Sequence, residues 1–272
     1  MNRIKMLLPL LVVSLLAPAS ASAWAPASQA TIHPGVQVFT EGAQCTANFV
    51  FEEAGEVYLG QAAHCAGTGS ATETDGCESG SLPLGTAVEV TGASRPGSLA
   101  YSSWLTMQAV GESDPDACAF NDFALIRIDP ADVAKVNPSV PGFGGPTGLG
   151  APGTTGSDVF SYGNSSLRAG IEQLRPKQGV LVGSTGGGWS HEVVTATPGV
   201  PGDSGSGFLS ASGAAFGTLS TLQLAPLAGS NGIGDLAKEL EYLRSHTGHT
   251  GIQLVPGTEV WRPNLVGAVL GG

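Results

Sequence analysis

Gly202-Asp203-Ser204-Gly205-Ser206-Gly207 sets one hydroxyl between glycines. A serine that attacks a carbonyl needs an exposed side chain on a tight turn. It also needs backbone N–H groups aimed where negative charge develops on the attacked oxygen. Glycine on both sides permits that turn, and the N–H groups of Gly202 and Ser204 are the natural pair for the oxyanion hole. Losing one such donor costs about 3–4 kcal/mol of barrier. Gly-Ser clusters are also common in ordinary loops, so the run calls for partners elsewhere in the chain.

The chain has five histidines: His33, His64, His191, His246 and His249. Only His64 sits where a base is wanted. In Leu59-Gly60-Gln61-Ala62-Ala63-His64-Cys65 it follows a strand and adjoins a cysteine. An imidazole held there takes a serine proton near neutral pH, since its ordinary pKa is about 6.5. A third group must orient the imidazole and stabilise its protonated form. Asn121-Asp122-Phe123-Ala124-Leu125-Ile126 supplies one acid at the head of an apolar, buried strand. A carboxylate is expensive to bury unless it is paired. Asp114, Asp116 and Asp129 stand in polar or Pro-flanked surroundings where a solvated acid is ordinary.

Composition points to a β fold. Gly and Pro make 59 of 272 residues and 42% are hydrophobic, a folded, turn-rich chain rather than a disordered one. Short apolar runs predict strands at 36–39, 47–51, 57–61, 87–91, 104–110 and 123–128. A second set falls at 158–162, 179–182, 192–196, 207–209, 215–221 and 252–255. Between the sets, 10 of the 17 residues in 137–153 are Gly or Pro, which reads as a linker. One helix is expected near 235–245, capped by Asp235. It carries Leu236, Leu240 and Leu243 on the inner face, with Lys238, Glu239, Glu241 and Arg244 mostly on the outer one.

Arg3 and Lys5, an apolar stretch at 6–17 and Ala21-Ser22-Ala23 before Trp24 have the pattern of an export signal over residues 1–23. The apolar stretch is shorter than the roughly 20 residues that span a bilayer. Four cysteines, Cys45, Cys65, Cys77 and Cys118, in an exported chain imply two disulfides, and three pairings are open. No C-x-x-C pair and no H-E-x-x-H occurs, so no metal and no cofactor is expected. With 22 acidic against 11 basic residues, the net charge of −11 is the wrong sign for a binder of nucleic acid phosphates. No stable membrane association is expected.

His64, Asp122 and Ser204 follow one another in the order His, Asp, Ser. Subtilisins and α/β-hydrolases have other orders, and the latter need glycine where Ser206 stands. The blocks Ala62-Ala63-His64-Cys65, Asn121-Asp122-Phe123-Ala124-Leu125 and Gly202-Asp203-Ser204-Gly205-Ser206 resemble the three signature blocks of trypsin-like serine proteases of the chymotrypsin fold. The likeness spans roughly 32–244 and is closest to exported bacterial members; the tail from Gly248 lies outside it.

The resemblance implies two six-stranded antiparallel barrels. One spans 24–136 with His64 and Asp122, and one spans 154–272 with Ser204, a helix and the tail. It also implies a Cys45–Cys65 bridge, leaving Cys77 with Cys118. A primary pocket is implied at Pro198 and Gly199, with walls at Ser220, Thr221 and Leu222. No carboxylate stands at the pocket floor, so an uncharged substrate side chain is expected.

Animal members begin with Ile-Val-Gly-Gly, whose amino group pairs with the acid before the serine. That sequence is missing here, which leaves Arg168, Arg175 or Lys177 to satisfy Asp203. The function implied is a secreted, monomeric endopeptidase acting on proteins or peptides. The alternatives are an inactive homologue that serves as a binding module, and a serine esterase.

Overall fold

Two hairpins close on X-Gly pairs whose backbones lie at positive φ, Glu41-Gly42 (47° and 87°) and Ala54-Gly55 (50° and 84°). Such mirror-image turns match the twist of the strands they join. The computed structural model describes residues 24–70, 73–223 and 227–270. The expected export signal, 1–23, lies outside the described residues.

The first turn joins β1 (Gln37–Thr40) to β2 (Ala43–Thr46), and the second joins β3 (Val50–Glu53) to β4 (Glu56–Gln61). With β5 (Ala87–Val90), β6 (Gly97–Ser102) and β7 (Ala124–Arg127) they form one antiparallel sheet. An eighth strand comes from the tail: β14 (Gln253–Leu254) pairs with β3, so the order is β14-β3-β4-β7-β6-β5-β1-β2.

The second unit is a closed six-stranded barrel. It contains β8 (Asp158–Tyr162), β9 (Pro176–Thr185), β10 (Ser190–Thr195), β11 (Gly207–Ser210), β12 (Ala215–Leu222) and β13 (Asn231–Asp235). Its interior holds Val159, Leu181, Val193, Phe208, Phe216 and Ile233. The first sheet encloses Val38, Leu59, Val88, Leu99 and Ile126.

Phe51, Phe123, Phe143 and Phe160 form a third cluster with Leu236, Leu240 and Leu243, bringing together both units, the intervening segment and a helix. Within the glycine- and proline-rich stretch, Val140 and Phe143 are buried, and Leu149 bridges to Ala215. The tail also folds back on this stretch: Gly145 N–H donates to Glu259 O and Arg262 N–H to Phe143 O.

Two local expectations are corrected. Residues 104–110, read as a strand, belong to helix α1 (Ser103–Val110), ended by Gly111 at φ 68°. Trp104 and Met107, three apart, face inward on one side of it, a spacing that a short apolar run does not distinguish from strand alternation. A second short helix, α2 (Pro115–Phe120), is capped by Asp114, whose carboxylate accepts the Asp116 N–H.

Helix α3 (Leu236–His246) starts where expected, with Asp235 accepting the Lys238 N–H at 2.9 Å and the three leucines buried. Glu239, however, is on the inner face and fully buried. Helix α4 (Leu265–Leu270) ends the described chain. Among the described residues, no helix is long and apolar enough to cross a membrane.

Candidate active site

β4 delivers His64 on a single 3-10 turn, Ala63–Ala66, at the mouth between the two units. The Cys45–Cys65 disulfide anchors that turn to β2, and Cys77–Cys118 closes the loop beyond it, the pairing that the resemblance implied.

Asp122, two residues before β7 begins, meets His64 twice. Its Oδ1 accepts the His64 backbone N–H at 2.8 Å, and its Oδ2 faces Nδ1 at 2.6 Å. Ser220 Oγ donates to the same Oδ2 at 2.6 Å. Three donors thus compensate a carboxylate that is only 1% exposed. Burial pushes the Asp122 carboxyl up, but the imidazole and these hydrogen bonds outweigh it and hold the group below its ordinary value. Burial likewise lowers His64, yet the charge and hydrogen bond of Asp122 prevail, and the imidazole pKa lies above 6.5. With Nδ1 committed to Asp122, Nε2 is the nitrogen left for a substrate-side proton.

Ser204 sits in the loop between β10 and β11. The Asp203 N–H donates to Val200 O at 2.8 Å across Pro201-Gly202, with Gly202 at φ 94°. That closes a turn with positive φ at its third residue, which favours glycine. The loop is stitched to the first sheet: Thr46 N–H donates to Ser204 O at 2.8 Å, and Thr46 Oγ1 to Gly202 O at 2.8 Å. Gly205 packs so closely that a Cβ there would lie 2.7 Å from Thr46 O and 2.9 Å from Ala62 N. Close approach, as well as the turn, therefore demands the glycines of the motif.

Among the described residues, the N–H groups of Gly202 and Ser204 donate to no protein acceptor, as a pair that receives an oxyanion must be. Ser204 and His64 line one cleft of about 550 Å³. The structure brings His64 and Asp122 into contact; the Ser204 hydroxyl is not hydrogen-bonded to the imidazole.

Asp203 is fully buried and doubly paired. Arg168 Nη2 lies 2.6 Å and Lys177 Nζ 3.0 Å from its Oδ2, while Ser165 N–H donates to Oδ1 at 2.9 Å. Two of the three expected cations therefore converge there. Arg175 instead pairs with Glu172 at 3.2 Å. Burial pushes the Asp203 carboxyl up, but Lys177 and Arg168 outweigh it and hold it below its ordinary value. Burial lowers Lys177 to about 8, even with Asp203 pulling the other way; the neighbouring Arg168 charge adds to the lowering.

Of the residues assigned to the primary pocket, Gly199, Ser220, Thr221 and Leu222 line the cleft. Pro198 does not: its carbonyl is turned to Arg168 Nη2 at 2.7 Å. Ser220 has a second task in holding Asp122, which nothing in its local sequence signals. Glu239, behind β12, was also missed. Its Oε2 accepts Thr218 Oγ1 at 2.9 Å, and burial raises its carboxyl well above the ordinary carboxylate range.

The metal-ligating side chains that cluster among the described residues are Cys45, His64 and Cys65, and Asp75, Cys77 and Cys118. The sulfurs of both groups are spent in disulfides, so neither is a thiolate site.

No protein-family model and no curated protein sequence matches the chain. Solved structures do. Thermobifida fusca protease A is 21% identical with a TM-score of 0.52, the match covering 84% of this chain and all of that one. A glutamic-acid-specific serine protease is 17% identical with a TM-score of 0.51, covering 82% of this chain and all of its own. A chymotrypsin of Cellulomonas bogoriensis is 18% identical with a TM-score of 0.50, covering 83% and 98%. At these identities the likeness establishes the fold.

Proposed function

We propose that this chain, which has the fold of bacterial chymotrypsin-like serine proteases, is itself a serine endopeptidase that cuts peptide bonds through an acyl-enzyme. Ser204 Oγ attacks the scissile carbonyl while His64 Nε2 takes its proton. Asp122 stays ionised and stabilises the imidazolium through Nδ1. The oxyanion of the tetrahedral intermediate settles on the N–H groups of Gly202 and Ser204. Collapse breaks the C–N bond, and His64 returns the proton to the leaving amine. Water, deprotonated by the same imidazole, then releases the acid and restores Ser204.

The observation that carries this reading is the two-point contact of His64 with an almost fully buried Asp122, in the cleft that Ser204 lines. A solvated surface pair would need neither the burial nor the third donor, Ser220.

Two disulfides support an exported, extracellular protein. Its substrates are proteins or peptides, and it works as a monomer. Residues 24–136 and 154–272 are taken as the two catalytic halves joined by 137–153, with the start of the tail returned to the first half through β14.

The test is digestion of a reduced, alkylated protein by the purified chain and by Ser204→Ala. Cleavage that disappears in the variant supports the endopeptidase. Hydrolysis of small esters without any peptide cleavage assigns an esterase, and inertness towards both assigns a binding module.

A further inference from the structure

Asn231, the first residue of β13, is fully buried behind the cleft and was not singled out by its sequence. Its Oδ1 accepts the Gly199 N–H at 2.8 Å, and its Nδ2 donates to Gly199 O at 3.2 Å and to Thr221 O at 3.1 Å. Gly199 and Thr221 belong to different segments that both line the cleft, one leading into the Ser204 loop and one on β12. A single amide therefore ties two walls together. Both of its N–H donors are spent on the tie, leaving none for a ligand. The fit leaves no slack on the Gly199 side, where a Cβ would lie 2.5 Å from Leu219 Cδ1 and 2.9 Å from Asn231 Nδ2.

The surrounding chemistry is uniform. Among the described residues on this side of the cleft, Gly199, Val200, Leu219, Thr221 and Leu222 carry no ionisable side chain. Glu73, the carboxylate that lines the cleft, comes from the His64 wall. Glu192 is not a lining residue, and its Oε1 accepts Ser230 Oγ at 2.7 Å. Arg168 and Lys177 approach this region only from behind, with Asp203 as their counterion and Lys177 wholly buried. A charged substrate side chain entering here would lose its hydration without gaining a partner.

We propose that Asn231 is a positioning residue that sets the width of the primary substrate pocket, and that this pocket takes an uncharged side chain from the residue on the acyl side of the scissile bond. The proposal rests on the reading of Ser204 as the nucleophile, and the experiment separates the two. The full chain, Asn231→Ala and Asn231→Asp are compared on a peptide series that varies only the acyl-side residue. Labelling by a small fluorophosphonate with no side chain reports in each case whether the triad is intact.

The expected result for the unmodified chain is kcat/KM at least tenfold higher for uncharged residues than for Arg, Lys, Asp or Glu. Both Asn231 variants should raise KM for the best peptide at least tenfold, with kcat changed much less, and should alter the ranking among uncharged residues. Should they fail to fold, Gly199→Ala, which presses on the tie from the other side, is expected to give the same split between KM and kcat. Preference for a charged residue overturns the assigned substrate chemistry. An unchanged KM and ranking in folded variants overturns the positioning role. Failure of the unmodified chain to react with the probe overturns the nucleophile assignment itself, and the proposal with it.

Discussion

Replacing each cation at Asp203 by methionine separates two contributions that the geometry makes unequal. Arg168 donates two short hydrogen bonds from one nitrogen, 2.6 Å to Asp203 Oδ2 and 2.7 Å to Pro198 O. Hydrogen bonds to charged groups are worth about 1.5–3 kcal/mol each, and breaking a buried ion pair from one side costs about 3–5 kcal/mol. Arg168→Met should therefore destabilise the chain by about 3–5 kcal/mol.

Lys177 is different. Its pKa is lowered to about 8 by burial, so the folded protein disfavours the ammonium relative to water even after Asp203's attraction is included. A drop from 10.5 to about 8 corresponds to roughly 3 kcal/mol against the charged form. Lys177→Met removes that penalty together with the ion pair, and its net effect at pH 7 should be within about 1.5 kcal/mol of zero. Urea unfolding at pH 7 measures both.

Between about pH 8 and 10.5 the unfolded chain holds the Lys177 proton and the folded chain does not, so stability rises with pH across that window. Lys177→Met should lack this rise. Because Asp203 lies between Gly202 and Ser204, Arg168→Met should also lower kcat more than it raises KM. A Lys177→Met variant as unstable as Arg168→Met would refute this division of labour.

The acid limb of kcat/KM should have its midpoint above pH 6.5, because Asp122 raises His64 and only the neutral imidazole accepts the serine proton; a pH–rate profile with its midpoint below 6.5 contradicts it. Gly202→Ala must hold a Cβ at φ 94°, only 2.8 Å from Gln44 Oε1. Disturbing one oxyanion donor in this way should cut kcat by about 10²–10³, measured by single-turnover acylation. Glu239 has a folded-state pKa raised well above 4.5, so the folded chain holds more protons than the unfolded one above that pH, and stability falls as pH rises. Glu239→Gln should flatten that fall, measured as the denaturation midpoint from pH 5 to 9.

Residues whose chemistry conflicts with their local surroundings could be found in the sequence. Asp122 heads an apolar strand, His64 follows one beside a cysteine, and Ser204 sits among glycines; the fold brings His64 and Ser204 to the cleft and sets Asp122 against His64. The supporting groups carry no such mark. Ser220 is 98 residues from the carboxylate it holds. Asn231 opens the glycine-rich strand β13, which lacks the apolar alternation that reveals a strand. Glu239 shows why pattern reading mistakes a buried acid for an exposed one: helical spacing places it beside Leu236 and Leu240, and the usual aversion of carboxylates to burial decides the assignment wrongly. Thr218, 21 residues earlier on β12, makes that burial tolerable.

Stoichiometric reaction with a fluorophosphonate, followed by mass mapping of the adduct, tests the nucleophile most directly. The account predicts one phosphonyl group per chain, carried by Ser204 and formed far more slowly in His64→Ala. Adduct on another residue, or none on folded protein at pH 8, would contradict it.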